Sequence, residues 1–212
     1  MLHTHEFTET SVAVDDTRLR VLEGGQGEPL VVLPGADGLH LSRAHELLTR
    51  RCRVIGLDLS GTGLRSAQEL ATTASQAIQQ LGLERVTLLG SSLGAAVALE
   101  VAWQQPERTR ALILESPRGL LDADERDAVL EEQLRRLSLP TLVLCGTRDR
   151  VNPPGMGRRY RELIPRCHFI LTYDAGHCIG LDRPDAFAEV VGDYTQRLEA
   201  FVVQRESGVI HP

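Results

Sequence analysis

The chain has 212 residues, 42% of them hydrophobic and 25% charged, with a formal net charge of −6; this is the size and mix of one globular domain, residues 1–212, too apolar for disorder. All 23 basic residues are arginine, so enzymes that need a lysine are excluded: Schiff-base and pyridoxal-phosphate enzymes, P-loop NTPases and protein kinases. The acidic balance speaks against nucleic acid as a partner, and no run of 18 apolar residues offers a membrane span.

The first residues, Met1 to His5, lack the basic-then-apolar order of a secretory signal, so a cytoplasmic location and a flexible 1–5 segment are expected. His3 and His5 form the only short histidine cluster, at a terminus prone to fraying; no metal site and no cofactor are expected. Alternation from Phe7 to Val14, a turn at Asp15-Asp16 and Arg18 to Leu22 predict a hairpin, followed by a glycine-rich loop over 23–29. Six short apolar runs come next: Leu30–Leu33, Val54–Leu57, Val86–Leu89, Ala111–Leu114, Leu142–Cys145 and Phe169–Leu171. Separated by helix-length segments, they predict an α/β domain whose mainly parallel eight-stranded sheet carries helices on both faces.

Three of the helices are readable in detail. Ser66 and Glu69 form a capping-box pattern ahead of Leu70, Ala74, Ala77, Ile78 and Leu81, with Gly82 as the stop. Asp122 and Glu125 repeat the opening signal before Val129, Leu130, Leu134 and Leu137. The last helix starts at Pro184 and places Phe187, Val191, Tyr194, Leu198 and Phe201 on one stripe; residues 205–212 are expected to be flexible. The four cysteines, Cys52, Cys145, Cys167 and Cys178, form no Cys-x-x-Cys pair and are expected as reduced thiols in packing roles.

The segment Val86-Thr87-Leu88-Leu89-Gly90-Ser91-Ser92-Leu93-Gly94-Ala95-Ala96 reads as a strand, a Gly-x-Ser-x-Gly turn and a helix rich in small residues. A serine on so tight a turn has a strained backbone and projects its hydroxyl above the sheet. Strand and helix then approach closely, so the positions two before and two after must be nearly bare. Gly90 and Gly94 fit that spacing, which selects Ser92 over Ser91. An ordinary glycine-rich turn is the plain alternative, and its place behind a buried strand argues against it.

At these residues the sequence resembles the α/β-hydrolase family, and four segments in order carry the resemblance across nearly the whole chain. Leu33-Pro34-Gly35-Ala36-Asp37-Gly38 is similar to the family's oxyanion loop, with Pro34 where histidine is frequent. Asp58-Leu59-Ser60-Gly61-Thr62-Gly63 matches an Asp-x-x-Gly-x-Gly turn. Gly146 to Pro153 resembles the loop that carries a catalytic acid, and Asp174-Ala175-Gly176-His177 the loop of the catalytic histidine. The resemblance implies an α/β-hydrolase fold with a Ser92, Asp149, His177 triad, in the chain order this fold uses.

Each member has rivals. His3, His5 and His211 lie near the termini, His168 opens a strand, and His40 and His45 belong to a helix after the oxyanion loop; only His177 follows a strand and precedes a helix. Asp149 is preferred as the acid, and Glu115, at the end of the preceding strand, is the alternative. The implied roles are nucleophile for Ser92, base for His177 and orienting acid for Asp149, with the backbone N–H groups of Ala36 and Leu93 holding an oxyanion. Asp37 would oppose that oxyanion if it faced inward, so it is expected to face outward.

Between Ser116 and Leu139 there is room for one crossover helix and no cap domain, since a helix over 122–137 already spans roughly 24 Å. The resemblance is therefore to small capless serine hydrolases, with an open site and a small-molecule or carrier-bound acyl substrate. The expected activity is cleavage of a carboxylic ester or thioester through an acyl-enzyme. An acyltransferase or cyclase using the same triad, and a non-catalytic ligand-binding relative, are the competing readings.

Overall fold

The apolar runs become strands that line up edge to edge. The computed structural model describes residues 7–63, 66–118, 128–201 and 210–211. A hairpin of β1 (Thr8–Val14) and β2 (Thr17–Gly24) is followed by β3 (Pro29–Leu33), β4 (Arg53–Leu57), β5 (Val86–Ser91), β6 (Thr109–Glu115), β7 (Thr141–Gly146) and β8 (Cys167–Thr172). These are the eight expected strands, and a two-residue strand, β9 (Ile210–His211), adds to the β8 edge. The order is β1-β2-β4-β3-β5-β6-β7-β8-β9, parallel from β4 through β8 and antiparallel at both ends. Of the tail expected to be flexible, residues 210 and 211 thus form sheet; residues 1–5 lie outside the described residues.

The helices are α1 (Arg43–Leu48), α2 (Ala67–Gln80), α3 (Leu93–Gln104), α4 (Ala128–Arg135), α5 (Pro154–Leu163), α6 (Ile179–Asp182) and α7 (Pro184–Arg197). Side chains alternate along each strand, so Val31 and Leu33 pack toward one face of the sheet and Leu30 and Val32 toward the other. Helices α2 to α5 cover the first face, and α1, α6 and α7 the second. Both faces are apolar, as a parallel sheet requires.

Local signals explain both ends of α2. Ser66 Oγ accepts the Glu69 N–H at 3.2 Å while Glu69 returns a bond to the Ser66 N–H, the expected capping box. Helix α2 stops where Gly82 takes φ of +67°, letting the Leu83 N–H reach back to Ile78 O at 3.1 Å. The crossover helix differs from expectation at one residue. Leu130, Leu134 and Leu137 pack on the core at i, i+4, i+7 spacing, but Val129 falls off that stripe and is 69% exposed. Asp122 and Glu125, its expected opening signal, lie outside the described residues. At the other end of the chain α7 stops at Arg197, and a short turn over Leu198–Ala200 sets Phe201 edge-on to Tyr194 and His168.

Candidate active site

The parallel strands all end at one edge, and the residues singled out in the sequence lie in the turns and loops along it, where Asp149 and His177 are in contact. Ser92 sits between β5 and α3 with φ 54° and ψ −109°, a conformation costly for any residue with a side chain. The turn is as tight as the glycine spacing requires. A Cβ on Gly90 would lie 2.2 Å from Gly94 O, and one on Gly94 2.0 Å from Leu33 O. The Ser92 hydroxyl makes no capping bond to α3, which leaves it free for other work. Its backbone N–H donates to Glu115 O at 2.9 Å, tying the turn to β6.

The loop after β3 runs alongside. A Cβ on Gly35 would approach Ser92 Cβ to 3.7 Å, so Pro34-Gly35-Ala36 borders the serine. Asp37 is exposed, as expected from its charge. His40 stands before α1 and not on it, with Nε2 3.1 Å from Asp37 O. His45 does belong to α1, where it is buried and its Nδ1 accepts the Ser42 N–H at 3.1 Å. Burial there lowers its pKa to about 4, so it is a neutral packing histidine.

Asp149 and His177 are brought together. His177 Nδ1 lies 2.9 Å from Asp149 Oδ2, and the other carboxylate oxygen accepts the N–H groups of Val151 at 2.8 Å and Asn152 at 2.9 Å. Burial pushes the Asp149 carboxyl up, but the Asn152 N–H, the His177 ring and the Val151 N–H outweigh it and hold the group below its ordinary value. It is therefore a carboxylate at neutral pH. Glu115, the alternative acid, is engaged elsewhere: its Oε1 accepts the Gly180 N–H at 3.0 Å, and burial pushes its pKa up. The histidine's carboxylate partner is Asp149.

The model of the alpha/beta hydrolase family matches residues 30–137. The chain belongs to the alpha/beta hydrolase family. It is 27% identical to the 2-hydroxy-6-oxo-6-(2'-aminophenyl)hexa-2,4-dienoic acid hydrolase of Metapseudomonas resinovorans, with 90% of this chain and 92% of the relative covered. That alignment extends over 266 positions, so the relative has segments for which this shorter hydrolase has no counterpart. Among solved structures, a bacterial membrane phospholipase A superposes with a TM-score of 0.83 at 21% identity, covering 92% of this chain and 88% of that one. A serine hydrolase involved in carbazole degradation gives 0.80 at 19% identity, covering 90% and 99%. At such identities the two structures speak to the fold alone.

No cap domain is evident in this hydrolase: among the described residues between β6 and β7, the only helix is α4. Among the described residues no helix is long and apolar enough to cross a membrane, and no group of three His, Cys, Asp or Glu is placed to hold a metal ion.

Besides His40, Cys178 departs from the sequence reading, and Gly146, Ser116 and Asn152 carry contacts that the sequence did not signal. Cys178 is exposed beside His177 and fills no core; partial burial and the carboxylates of Glu115, Asp182, Asp37 and Asp149 hold its thiol above the ordinary value, so it stays protonated. The short helix α6 stands between His177 and α7, so His177 precedes a helix as expected. Gly146 is a point of close approach: a Cβ there would lie 2.3 Å from both Ala175 O and Gly176 O, so the acid strand and the histidine loop touch only because it is bare. Ser116 and Asn152 are buried polar residues at the same edge, and Ser116 Oγ donates to His177 O at 2.8 Å. Asn152 stood inside the acid-loop pattern, and Ser116 beside the rival acid, but neither residue type carries a signal of its own.

Proposed function

We propose that this hydrolase is a serine esterase or thioesterase that works through an acyl-enzyme. The observation that carries the reading is the buried, ionised Asp149 bonded to His177 Nδ1, at the same sheet edge as a strained serine whose hydroxyl caps nothing. Asp149 fixes the imidazole with its proton on Nδ1, leaving Nε2 free to accept the proton of Ser92 Oγ as that oxygen attacks the acyl carbon. The carbonyl oxygen gains negative charge and is held by the N–H groups of Leu93 and Ala36. Leu93 suits this role because it is the first residue of α3, whose N–H has no partner within the helix. Each such donor is worth about 3 kcal/mol of barrier. His177 then gives its proton to the leaving alcohol or thiol. In the second half-reaction it takes one from water as the water oxygen attacks the acyl carbon; the bond to Ser92 Oγ then breaks, that oxygen recovers the proton from His177, and the free acid leaves.

The substrate is a small-molecule or carrier-bound acyl compound, and the protein is cytoplasmic. The missing cap supports an open pocket in which water competes well as acceptor, which favours hydrolysis over acyl transfer. A panel of acyl esters and acyl thioesters, run with wild type and Ser92→Ala, tests the reading. Turnover of one class, lost in the variant, is expected; no turnover of either would contradict it. The named activity of the Metapseudomonas relative favours one further class, a 2-hydroxy-6-oxo dienoic acid, whose ketone would take the place of the acyl carbonyl. It belongs in the same panel.

A further inference from the structure

A base on a loop needs something to hold its main chain still, because loops are the mobile parts of a fold. His177 lies on such a segment, between β8 and α6. Its carbonyl accepts the Ser116 hydroxyl at 2.8 Å. Ser116 is in turn fixed from two sides: its N–H donates to Leu144 O at 2.8 Å, and its carbonyl accepts Asn152 Nδ2 at 2.7 Å. The Asn152 N–H donates to Asp149 Oδ1 at 2.9 Å, and Asp149 Oδ2 meets His177 Nδ1 at 2.9 Å. The path closes on itself. Four residues from the loops after β6, β7 and β8 form one ring of hydrogen bonds, and Ser116 and Asn152 are both fully buried in it.

The backbone is strained at the same place. Of five described non-glycine residues with positive φ, three follow the ends of strands at this edge: Ser92 after β5, Ser116 after β6 and Asp174 after β8. A serine at φ of +45° persists only where its surroundings hold it. Here the hydroxyl on His177 and the carbonyl on Asn152 do so, and both point at the acid–base pair. A second anchor, Glu115 Oε1 on the Gly180 N–H, fixes the far end of the loop but bypasses Asp149.

We propose that Ser116 and Asn152 are positioning residues, which lock the main chain of His177 to the Asp149 loop so that the imidazole meets both its acid and Ser92. This rests on Asp149 and His177 acting as acid and base. The test is the kinetics of fluorophosphonate labelling, together with the far-downfield proton resonance of an imidazole N–H bonded to a carboxylate. Ser116→Ala is expected to lower the maximal labelling rate by about 10²-fold, as misplacement by roughly 1 Å does. The half-saturating probe concentration should stay within about twofold, because Ser116 and Asn152 are buried and act only through His177. The downfield resonance should broaden or vanish. Asn152→Ala, which leaves the Ser116 hydroxyl in place, should do the same, and the double variant should cost little more than either, since a ring opens only once. Thr195→Val is the control: it deletes a buried hydroxyl bonded to Gly192 O within α7, so it should lower the melting temperature and leave labelling unchanged. If Ser116→Ala and Asn152→Ala behave like Thr195→Val, the ring is only structural and the proposal fails. If labelling is lost in Asp149→Asn but kept in both ring variants, the triad stands and the ring falls; if Asp149→Asn labels normally, both fall.

Discussion

Asp149→Asn is the most informative single change, because the structure dictates how the new amide must sit. One carboxylate oxygen accepts two backbone N–H groups, from Val151 and Asn152, at 2.8 and 2.9 Å. An NH₂ group cannot replace it there, since three donors would face one another. The amide oxygen must therefore take that position and the NH₂ must face His177 Nδ1, 2.9 Å away in the wild type. Nδ1 is then forced to accept, the ring proton moves to Nε2, and in the proposed mechanism that nitrogen can no longer take the proton of Ser92. The expected loss in turnover is about 10⁴-fold, or about 5 kcal/mol of barrier. Glu115→Gln provides the comparison, because a glutamine oxygen still accepts the Gly180 N–H; it should cost less than about tenfold, as no charge at that site enters the chemistry. Both variants would be assayed for hydrolysis of an activated acyl ester, with circular dichroism to verify folding. A loss in Glu115→Gln that exceeds the loss in Asp149→Asn would move the acid to β6 and refute the argument.

Two further outcomes follow from packing and burial. Gly146→Ala drives a Cβ to 2.3 Å from two backbone oxygens of the histidine loop, so it should lower stability by about 3 kcal/mol and abolish most activity, whereas Gly155→Ala, with nothing within 4 Å in the first turn of α5, should gain about 0.5–1 kcal/mol; urea unfolding checks both. His45 has its pKa lowered by burial from 6.5 to about 4, so the unfolded chain takes up a proton that the folded chain refuses. Stability should then fall as pH drops from about 6.5 to about 4, by about 3 kcal/mol over the whole window, and unfolding curves of His45→Gln should lack that part of the decline.

The sheet was legible because its strands are buried on both faces and read as unbroken apolar runs such as Leu142–Cys145, each of which became a strand. The serine turn was legible for a steric reason: only bare residues fit where Gly90 and Gly94 sit, and that leaves a spacing in the sequence. Other features leave no such trace. Ser116 and His177 are 61 residues apart, and the bond between them ends on a carbonyl, which every residue type possesses. Helix α6 is four residues long, too short for a periodic pattern, and the fall of Val129 outside the apolar stripe depended on one step of helical phase. The sequence preferred Asp149 on its loop pattern but kept Glu115 as the alternative, because both lie at the ends of neighbouring strands. In the structure Asp149 pairs with His177, while Glu115 turns to the Gly180 N–H.

The central claim is that Ser92 is a nucleophile activated by His177. Treating the folded protein with a fluorophosphonate and mapping the adduct by peptide mass spectrometry tests it most directly. One adduct is expected, on Ser92, absent from Ser92→Ala and slowed by about 10⁴-fold in Asp149→Asn. An adduct on Ser91, or folded wild-type protein that takes up no probe, would contradict it.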